Sequence, residues 1–242
     1  MKIAVAQTRP VKGAIESNIL KHKKLVALAT ARNAGYIFFP ELSLTGYEPA
    51  LAEALAIDPR DSRLNDFQGI STNDNITIGV GMPTKSAKGV LITMIIFQPG
   101  LPRQTYSKQH LHPDEFPWFV KGNTQLYIEN GPQKIAPGIC YETSLPAHWA
   151  NARNNGATVY VASVAKSAAG IERSVKIFSE MARDHSMTLL LSNSLGPCDN
   201  FISAGKSAIW NNKGQLLAQL DGQQEGILLL DTTTGKIIEE TL

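Results

Sequence analysis

The chain has 242 residues, of which 43% are hydrophobic and 18% are charged, the usual balance of a folded globular protein. This composition excludes disorder as the main state, and the length is sufficient for a large core. The formal net charge of +2 is too small to indicate binding to nucleic acid or to an anionic membrane.

The two cysteines, Cys140 and Cys198, have no paired spacing, which favours a reducing compartment over a disulfide framework. Near the start, the four apolar residues 3–6 are too few for the core of a signal peptide. No apolar run reaches the length of a membrane span. We therefore expect a cytoplasmic protein that has no membrane partner.

The first half of the chain alternates apolar runs with helical patterns. Residues 2–7 are predicted to form a buried strand, and residues 13–34 a long helix that Gly35 ends. The all-apolar segment 36–39 is typical of a strand covered on both faces, and it leads directly to Pro40-Glu41. The next predicted segments are a loosely helical stretch at 49–67, strands at 76–82, 89–98 and 105–108, and a long loop at 109–124.

The second half continues this alternation around Cys140. Predicted strands lie at 125–129, 133–140, 157–161, 188–192, 204–210, 215–219 and 226–230. Predicted helices lie at 144–155 and 171–185, and Cys198 is assigned to a loop. Helices that alternate with buried strands, without a linker or a repeat, predict one layered α/β domain over residues 1–242.

Cys140 follows an apolar strand and precedes residues that favour a turn and a helix start. At such a turn, backbone N–H groups point outward and lower the pKa of a thiol. The carboxyl edge of a sheet is also where α/β folds place their sites. Cys140 is therefore a candidate nucleophile, and the alternative is a small buried hydrophobic residue, the common role of a free cysteine.

Glu41 and Lys108 also follow apolar segments directly, so the fold can bring them to Cys140 at one sheet edge. A thiol, a carboxylate and an ammonium suit nucleophilic acyl transfer, because the carboxylate takes the thiol proton and the ammonium stabilises a substrate oxyanion. The alternative is that Glu41 and Lys108 are ordinary surface charges at strand ends.

Three segments resemble the signatures of the nitrilase-like carbon–nitrogen hydrolase superfamily. The first is Phe-Pro-Glu-Leu-Ser-Leu-Thr-Gly-Tyr at 39–47, and the second is Tyr-Ser-Lys-Gln-His-Leu at 106–111, with Glu115 and Phe119 beyond it. The third is Gly-Ile-Cys-Tyr-Glu at 138–142. The motifs occur in the family's order with similar separations, and the likeness in pattern extends over nearly the whole chain.

This resemblance implies a four-layer αββα sandwich that pairs with a second copy through helices to form an αββααββα dimer. It implies that Cys140 forms a thioester, that Glu41 is the general base, and that Lys108 stabilises the oxyanion together with the backbone N–H of Tyr141. Glu115 matches a second glutamate that members place beside the lysine and the substrate. The resemblance implies no metal and no organic cofactor.

Several other residues are candidates for the walls of the site. Tyr47 and Trp118 are predicted to contact the substrate, although each aromatic ring has the alternative role of packing its own loop. His110 and His112 alternate in sequence and lack further ligands nearby, so a structural or pocket-lining role is favoured over a metal site. Glu142 is interpreted as a residue that orients the turn after Cys140.

The sequence departs from the family where many members carry an arginine two or three residues after the cysteine, since Glu142 and Thr143 stand there. This weakens an N-carbamoyl or ω-amidase assignment unless Arg153 or Lys166 supplies the charge, and Lys166 is a candidate for binding an anionic tail. The short chain without a long tail disfavours a filament-forming nitrilase and favours a small closed oligomer.

The predicted function is therefore hydrolysis of a small linear amide through a thioester, with a small-molecule amide as the partner. N-carbamoyl hydrolysis and acyl transfer to an amine are the alternatives on the same site. A non-catalytic scaffold protein is disfavoured, because such a protein has no reason to keep buried charges around a thiol.

Overall fold

Two β-sheets stacked face to face form the centre of the computed structural model, which describes residues 1–130 and 133–242. The strands of this part of the chain are β1 Lys2–Gln7, β2 Tyr36–Phe38, β3 Thr77–Ser86, β4 Gly89–Phe97, β5 Gln104–Ser107, β6 Ile128–Asn130, β7 Gln133–Ile139, β8 Val159–Val164, β9 Thr188–Asn193, β10 Leu195–Cys198, β11 Phe201–Ala204, β12 Ala208–Trp210, β13 Leu216–Gln219, β14 Gly226–Asp231 and β15 Ile237–Thr241. The α-helices are α1 Ile15–Ala31, α2 Ala52–Leu55, α3 Asn65–Asn73, α4 Pro146–Asn154 and α5 Ala168–Asp184.

The first sheet has the strand order β15-β14-β1-β2-β3-β4-β5, and the second has the order β13-β12-β9-β8-β7-β6. Parallel pairing occurs at the centre of each sheet, between β1, β2 and β3 in the first and between β7, β8 and β9 in the second. The remaining neighbours are antiparallel. The strands β10 and β11 form a separate two-stranded sheet.

Helices cover the outer face of each sheet and complete four layers. On the first sheet, Leu25 and Val26 of α1 pack with Ile37 and Ile78 in one buried cluster. On the second sheet, helices α4 and α5 contribute Trp149 and Phe178 to another buried cluster. A third cluster fills the space between the sheets and contains Val5, Phe38, Val161 and Leu190. The predicted αββα sandwich is confirmed, and the two covered faces explain the all-apolar strands.

The two predicted helical segments in the first half of the chain differ from the structure. The first helix ends at Ala31, because Asn33 takes the left-handed conformation with φ of 58° and the N–H of Ala34 bonds the carbonyl of Ala29. Asn33, and not Gly35, therefore supplies the C-terminal stop. The loosely helical stretch 49–67 is divided by Asp58-Pro59, and α3 begins only at Asn65 and runs to Asn73.

The end of the chain holds more strands than the sequence pattern predicted. Cys198 is fully buried in β10, whose hairpin turn is Asp199-Asn200, so its assignment to a loop was wrong. The predicted strand 204–210 is two shorter strands, β11 and β12, and β15 was missed although it pairs antiparallel with β14. In the part of the chain that the structure describes, no helix has the length and apolar character needed to cross a bilayer.

Candidate active site

Glu41 lies in the loop that follows β2, at the carboxyl end of the parallel part of the first sheet. The loop passes so close to β3 that a Cβ atom at Gly81 would lie 2.4 Å from the carbonyl oxygen of Pro40 and the backbone nitrogen of Leu42. Only glycine allows this approach. As a result the loop packs down onto the sheet, and Glu41 is only 1% exposed.

Lys108 follows β5 in the same sheet, and its side chain is fully buried. Its Nζ donates to Glu41 Oε1 at 2.7 Å and to Glu115 Oε1 at 2.7 Å. Burial by itself would lower the pKa of Lys108, but the negative charges of Glu41 and Glu115, and of Cys140 once its thiol has ionised, outweigh burial and raise it above its ordinary value. Lys108 is therefore a fixed positive charge between two carboxylates.

Glu115 lies in a short 3-10 turn, Pro113–Glu115, within the long loop that the sequence predicted at 109–124. Its Oε1 also accepts a hydrogen bond from the hydroxyl of Tyr47 at 3.0 Å, and its Oε2 accepts the backbone N–H of His112 at 2.8 Å. The structure thus brings Glu115 and Tyr47 to Lys108, and the Tyr47 hydroxyl belongs to the polar network of the site.

Cys140 comes directly after β7 in the second sheet and opens the 3-10 turn Cys140–Ser144. Its backbone has a φ of +44°, a conformation that non-glycine residues rarely adopt and that often marks functional sites. The side chain is partly exposed, with Sγ 4.0 Å from the carbonyl oxygen of Ala165. The turn thus presents the thiol at the end of the second sheet, where Glu41 and Lys108 arrive from the first.

The protonation states of the thiol and the carboxylate are set by burial. Burial raises the pKa of Glu41 to about 7, although the charge of Lys108 opposes the shift. Burial, followed by the charge of Glu41, raises the pKa of Cys140 to about 11, while Lys166 and Lys108 act in the opposite direction. The lowered pKa that the turn after Cys140 predicted is therefore wrong, and Cys140 is a thiol at neutral pH that needs a base to become a nucleophile.

The second carboxylate oxygen of Glu41 has no hydrogen-bond partner among the described residues. A buried, unpaired carboxylate oxygen is costly, and such groups in folded proteins call for an explanation. Its environment suits a group that receives a proton from a neighbouring thiol or from a bound molecule.

A cavity of about 350 Å³ opens over Cys140 and is lined by Glu115 as well. All the residues predicted to contact the substrate lie on its wall: Tyr47, Trp118, Tyr141 and Lys166. Trp118 is 46% exposed, so it stands at the rim of the cavity. His112 also lines the cavity, whereas in residues 1–130 and 133–242 no group of His, Cys, Asp and Glu side chains is arranged to hold a metal ion.

The structure adds Arg173 of α5 to the cavity wall, a residue that sequence analysis missed. Neither Lys166 nor Arg173 takes part in any ion pair between residues of the described ranges. Arg153, the other predicted source of charge, lines a different cleft together with Thr188 and Thr232. No local signal marked Arg173, because it is one of several charged residues on an ordinary amphipathic helix.

Comparison with known proteins identifies the family of the chain and a similar fold. The sequence profile of the carbon-nitrogen hydrolase family matches residues 2–239, so the chain belongs to this family. The fold is similar to that of an amidase from Nesterenkonia sp. AN1, with a TM-score of 0.87 and 22% identity over 96% of this chain and 92% of that chain.

Two curated relatives show how the chain compares in length. It is 28% identical to the glutamine-dependent NAD(+) synthetase of Acinetobacter baylyi over 93% of this chain, but spans only 42% of that relative. It is 23% identical to a probable nitrilase of Schizosaccharomyces pombe, over 93% of this chain and 86% of the relative.

Proposed function

We propose that the protein hydrolyses a small linear amide through a thioester on Cys140, with Glu41 as the general base. The observation that carries this proposal is the buried hydrogen bond from Lys108 Nζ to Glu41 Oε1 at 2.7 Å, close to the Cys140 thiol that lines the cavity. An amide is a poor electrophile with a poor leaving group, so its cleavage needs a nucleophile, a proton donor and a positive charge near its oxygen.

In the first step, Glu41 takes the proton of the Cys140 thiol while Sγ attacks the amide carbon. The carbonyl π bond becomes a negative charge on the oxygen. Glu41 then gives its proton to the amide nitrogen, the carbon–nitrogen bond breaks, and ammonia or an amine leaves the thioester behind. The free oxygen of Glu41 supports this role, because no side chain or backbone group among the described residues occupies it.

Lys108 stabilises the negative oxygen of the tetrahedral intermediate. An ammonium has three N–H groups, and Glu41 and Glu115 accept two of them at 2.7 Å each, which leaves one for the substrate. The backbone N–H of Tyr141 is the proposed second donor, since Tyr141 lines the cavity next to Cys140. Glu115 orients Lys108 and binds the Tyr47 hydroxyl at 3.0 Å, so it fixes both groups against the substrate.

In the second step, water attacks the thioester carbon while Glu41 accepts one of its protons. The carbon–sulfur bond breaks, the carboxylic acid product leaves and loses its proton in solution, and the proton on Glu41 returns to the Cys140 sulfur. Variants of the Nesterenkonia amidase support a nucleophilic cysteine by similarity, because one has been captured in complex with butyramide and another with the acetamide moiety of fluoroacetamide bound covalently to the active-site cysteine.

The acyl part of the substrate is proposed to carry a negative charge. Lys166 and Arg173 line the cavity without carboxylate partners in the described ranges, and an anionic tail would give both cations a partner. The position of Lys166 next to the thiol supports this placement, since its charge lowers the pKa of Cys140. An arginine from α5 would then replace the arginine that is missing after the cysteine.

Ammonia release from a panel of amides tests the reaction. The panel contains butyramide, glutamine, succinamate and N-carbamoyl-β-alanine, and Cys140→Ala is the control. We expect release from at least one amide and a loss of at least about 10³-fold in the variant, because the alanine cannot form the thioester. Ammonia release that survives Cys140→Ala would contradict the proposal, and products that contain an added amine would show acyl transfer.

The same panel tests the anionic tail. Lys166→Ala is expected to raise KM for succinamate by about tenfold and to leave KM for butyramide nearly unchanged, because only the anionic substrate loses a charged partner. Arg153→Ala is the matched control, since Arg153 lines a separate cleft. Equal effects of Lys166→Ala on both substrates would show that Lys166 does not bind the tail.

A further inference from the structure

Glu142 is a buried carboxylate that takes no part in the proposed chemistry. Its side chain is fully buried, and like Glu41 and Lys108 it does not line the cavity. Nevertheless it accepts four hydrogen bonds, two on each oxygen. Oε1 accepts the backbone N–H of Ile139 at 2.8 Å and the hydroxyl of Tyr106, and Oε2 accepts the backbone N–H groups of Gln109 at 2.8 Å and His110 at 3.2 Å.

The positions of these donors connect two parts of the site. Gln109 and His110 are the residues directly after Lys108, whereas Ile139 directly precedes Cys140. Lys108 extends from β5 in the first sheet and Cys140 from β7 in the second. The carboxylate of Glu142 therefore joins the backbone at the two strand ends that carry the ammonium and the thiol.

A hydrogen-bonded chain of three buried side chains, Tyr106, His148 and Tyr160, extends from Glu142. The Tyr106 hydroxyl donates its hydrogen to Glu142, so at 2.9 Å it accepts a hydrogen bond from His148 Nε2. His148 Nδ1 then accepts from the Tyr160 hydroxyl at 2.7 Å. Burial lowers the pKa of His148, which agrees with the neutral ring that this pattern requires. Every hydrogen bond in the chain therefore has one donor and one acceptor, and within it Tyr106 is the member that bonds Glu142 directly.

We propose that Glu142 is a positioning residue that holds Lys108 and Cys140 in the relative placement that attack on the amide requires. The inference rests on the roles proposed for those two residues. It follows from the donor set, because each oxygen of one carboxylate bonds the backbone beside one of the two reacting groups. Small displacements between a nucleophile and its oxyanion donor cost rate even when the substrate still binds.

The variant Glu142→Gln tests the proposal with almost no change in volume. An amide has one acceptor oxygen and one NH₂ donor, so at least one of the backbone donors faces another donor and loses its bond. Tyr160→Phe is the control, because it removes a buried hydroxyl at the far end of the same chain and leaves all four bonds to Glu142 in place. Circular dichroism and thermal unfolding establish that both variants are folded.

Two readouts are measured. The first is the steady-state kinetics, kcat and KM, with an amide that the wild type hydrolyses. The second is the rate at which fluoroacetamide alkylates Cys140, which mass spectrometry records. For Glu142→Gln we expect kcat to fall by about 10²-fold with KM within about threefold, and alkylation to slow in parallel. For Tyr160→Phe we expect both rates within about threefold of wild type, even if thermal stability falls.

A folded Glu142→Gln whose kcat and alkylation rate stay within about threefold of wild type would overturn the proposal, as would equal losses in both variants. Failure of the proposed function is a separate result, recognised by amide turnover that survives Cys140→Ala. If no amide is hydrolysed, the alkylation rate alone tests the positioning role of Glu142. Slower alkylation in Glu142→Gln but not in Tyr160→Phe supports that role, and equal alkylation rates in the two variants overturn it.

Discussion

At the scale of single residues, the site contains a carboxylate and a thiol whose protonation states are set by burial. Glu41 is held next to a permanent positive charge, yet burial still raises its pKa to about 7. A base whose pKa lies near neutrality both accepts a proton from a thiol and returns it to a leaving amine. The environment of Glu41 therefore suits both halves of the proposed reaction.

The pH dependence of the reaction follows from this pKa. Glu41 acts as a base only when it is deprotonated, so kcat/KM for an amide substrate is expected to fall about tenfold per pH unit below about pH 7. Lys108 keeps its charge on the alkaline side, since its pKa is raised. The measurement is kcat/KM between pH 5 and 9, and a flat profile from pH 5 to 7 would exclude Glu41 as the base.

At the scale of elements, helix α1 is tied to the loop that carries Glu41. His22 of α1 bonds the carbonyl of Asn18 through Nδ1 at 2.7 Å and the hydroxyl of Ser43 through Nε2 at 2.9 Å, and its ring stacks on Phe39 at 4.0 Å. Ser43 also accepts the N–H of Gly81 at 3.2 Å. The helix therefore supports the loop from the outer face of the first sheet.

His22 makes the fold sensitive to acid. Burial lowers the pKa of His22 from 6.5 to about 3, so between these values the unfolded chain binds a proton that the folded chain does not. Stability consequently falls as the pH decreases through this window. From pH 6.5 to pH 5, the free energy of unfolding is expected to fall by about 1.5 kcal/mol more in wild type than in His22→Gln.

Urea unfolding of both proteins at the two pH values measures this difference. His22→Gln loses packing against Phe39 and is expected to be less stable at pH 6.5, but that loss is common to both pH values and cancels in the comparison. Identical pH dependence in the two proteins would show that His22 is protonated in the folded state.

At the scale of the whole molecule, the stacking of the two sheets assembles the site. Glu41 and Lys108 belong to the first sheet and Cys140 to the second. Two buried hydroxyls bond across the interface, since Ser163 donates to the carbonyl of Phe39 and Ser192 to the carbonyl of Ala6, each at 2.6 Å. The bond from Ser163 reaches the backbone two residues before Glu41, so the alignment of the two sheets affects the position of Glu41.

Assembly into a dimer stays a prediction from the family resemblance. Helices α4 and α5 cover the outer face of the second sheet and would be the elements that meet a second copy in an αββααββα arrangement. Sedimentation velocity is expected to give twice the mass of one chain at micromolar concentration. A monomer that is fully active at that concentration would contradict the prediction.

The sequence was most informative for residue types that have few roles at such positions in folded proteins. A cysteine between an apolar strand and a turn, and charged residues directly after apolar strands, predicted where Cys140, Glu41 and Lys108 lie relative to the strands. The long loop at 109–124 was also predicted, and it carries Glu115 and Trp118. These features are local, because a strand end and the residue after it are neighbours in the chain.

Prediction failed where the outcome depended on contacts between distant segments. Strand β15 consists of partly exposed and exposed residues, and it forms by antiparallel pairing with β14 at the edge of the first sheet. Cys198 looked like a loop thiol, whereas it lies in β10, pairs with Phe201 of β11 and is fully buried. Arg173 carries no distinguishing pattern in α5, and the packing of that helix at the end of β8 brings it to the cavity.

The sequence by itself determined the layered α/β class, the positions of Glu41, Lys108 and Cys140 after strands, and the family to which the chain belongs. The physical reason is that the hydrophobic period, the strand length and the order of the motifs are properties of the linear sequence. Only the tertiary structure decided that Glu142 joins the ends of β5 and β7, and that Lys166 and Arg173 share one cavity. Such relations depend on how two sheets stack, which no local pattern specifies.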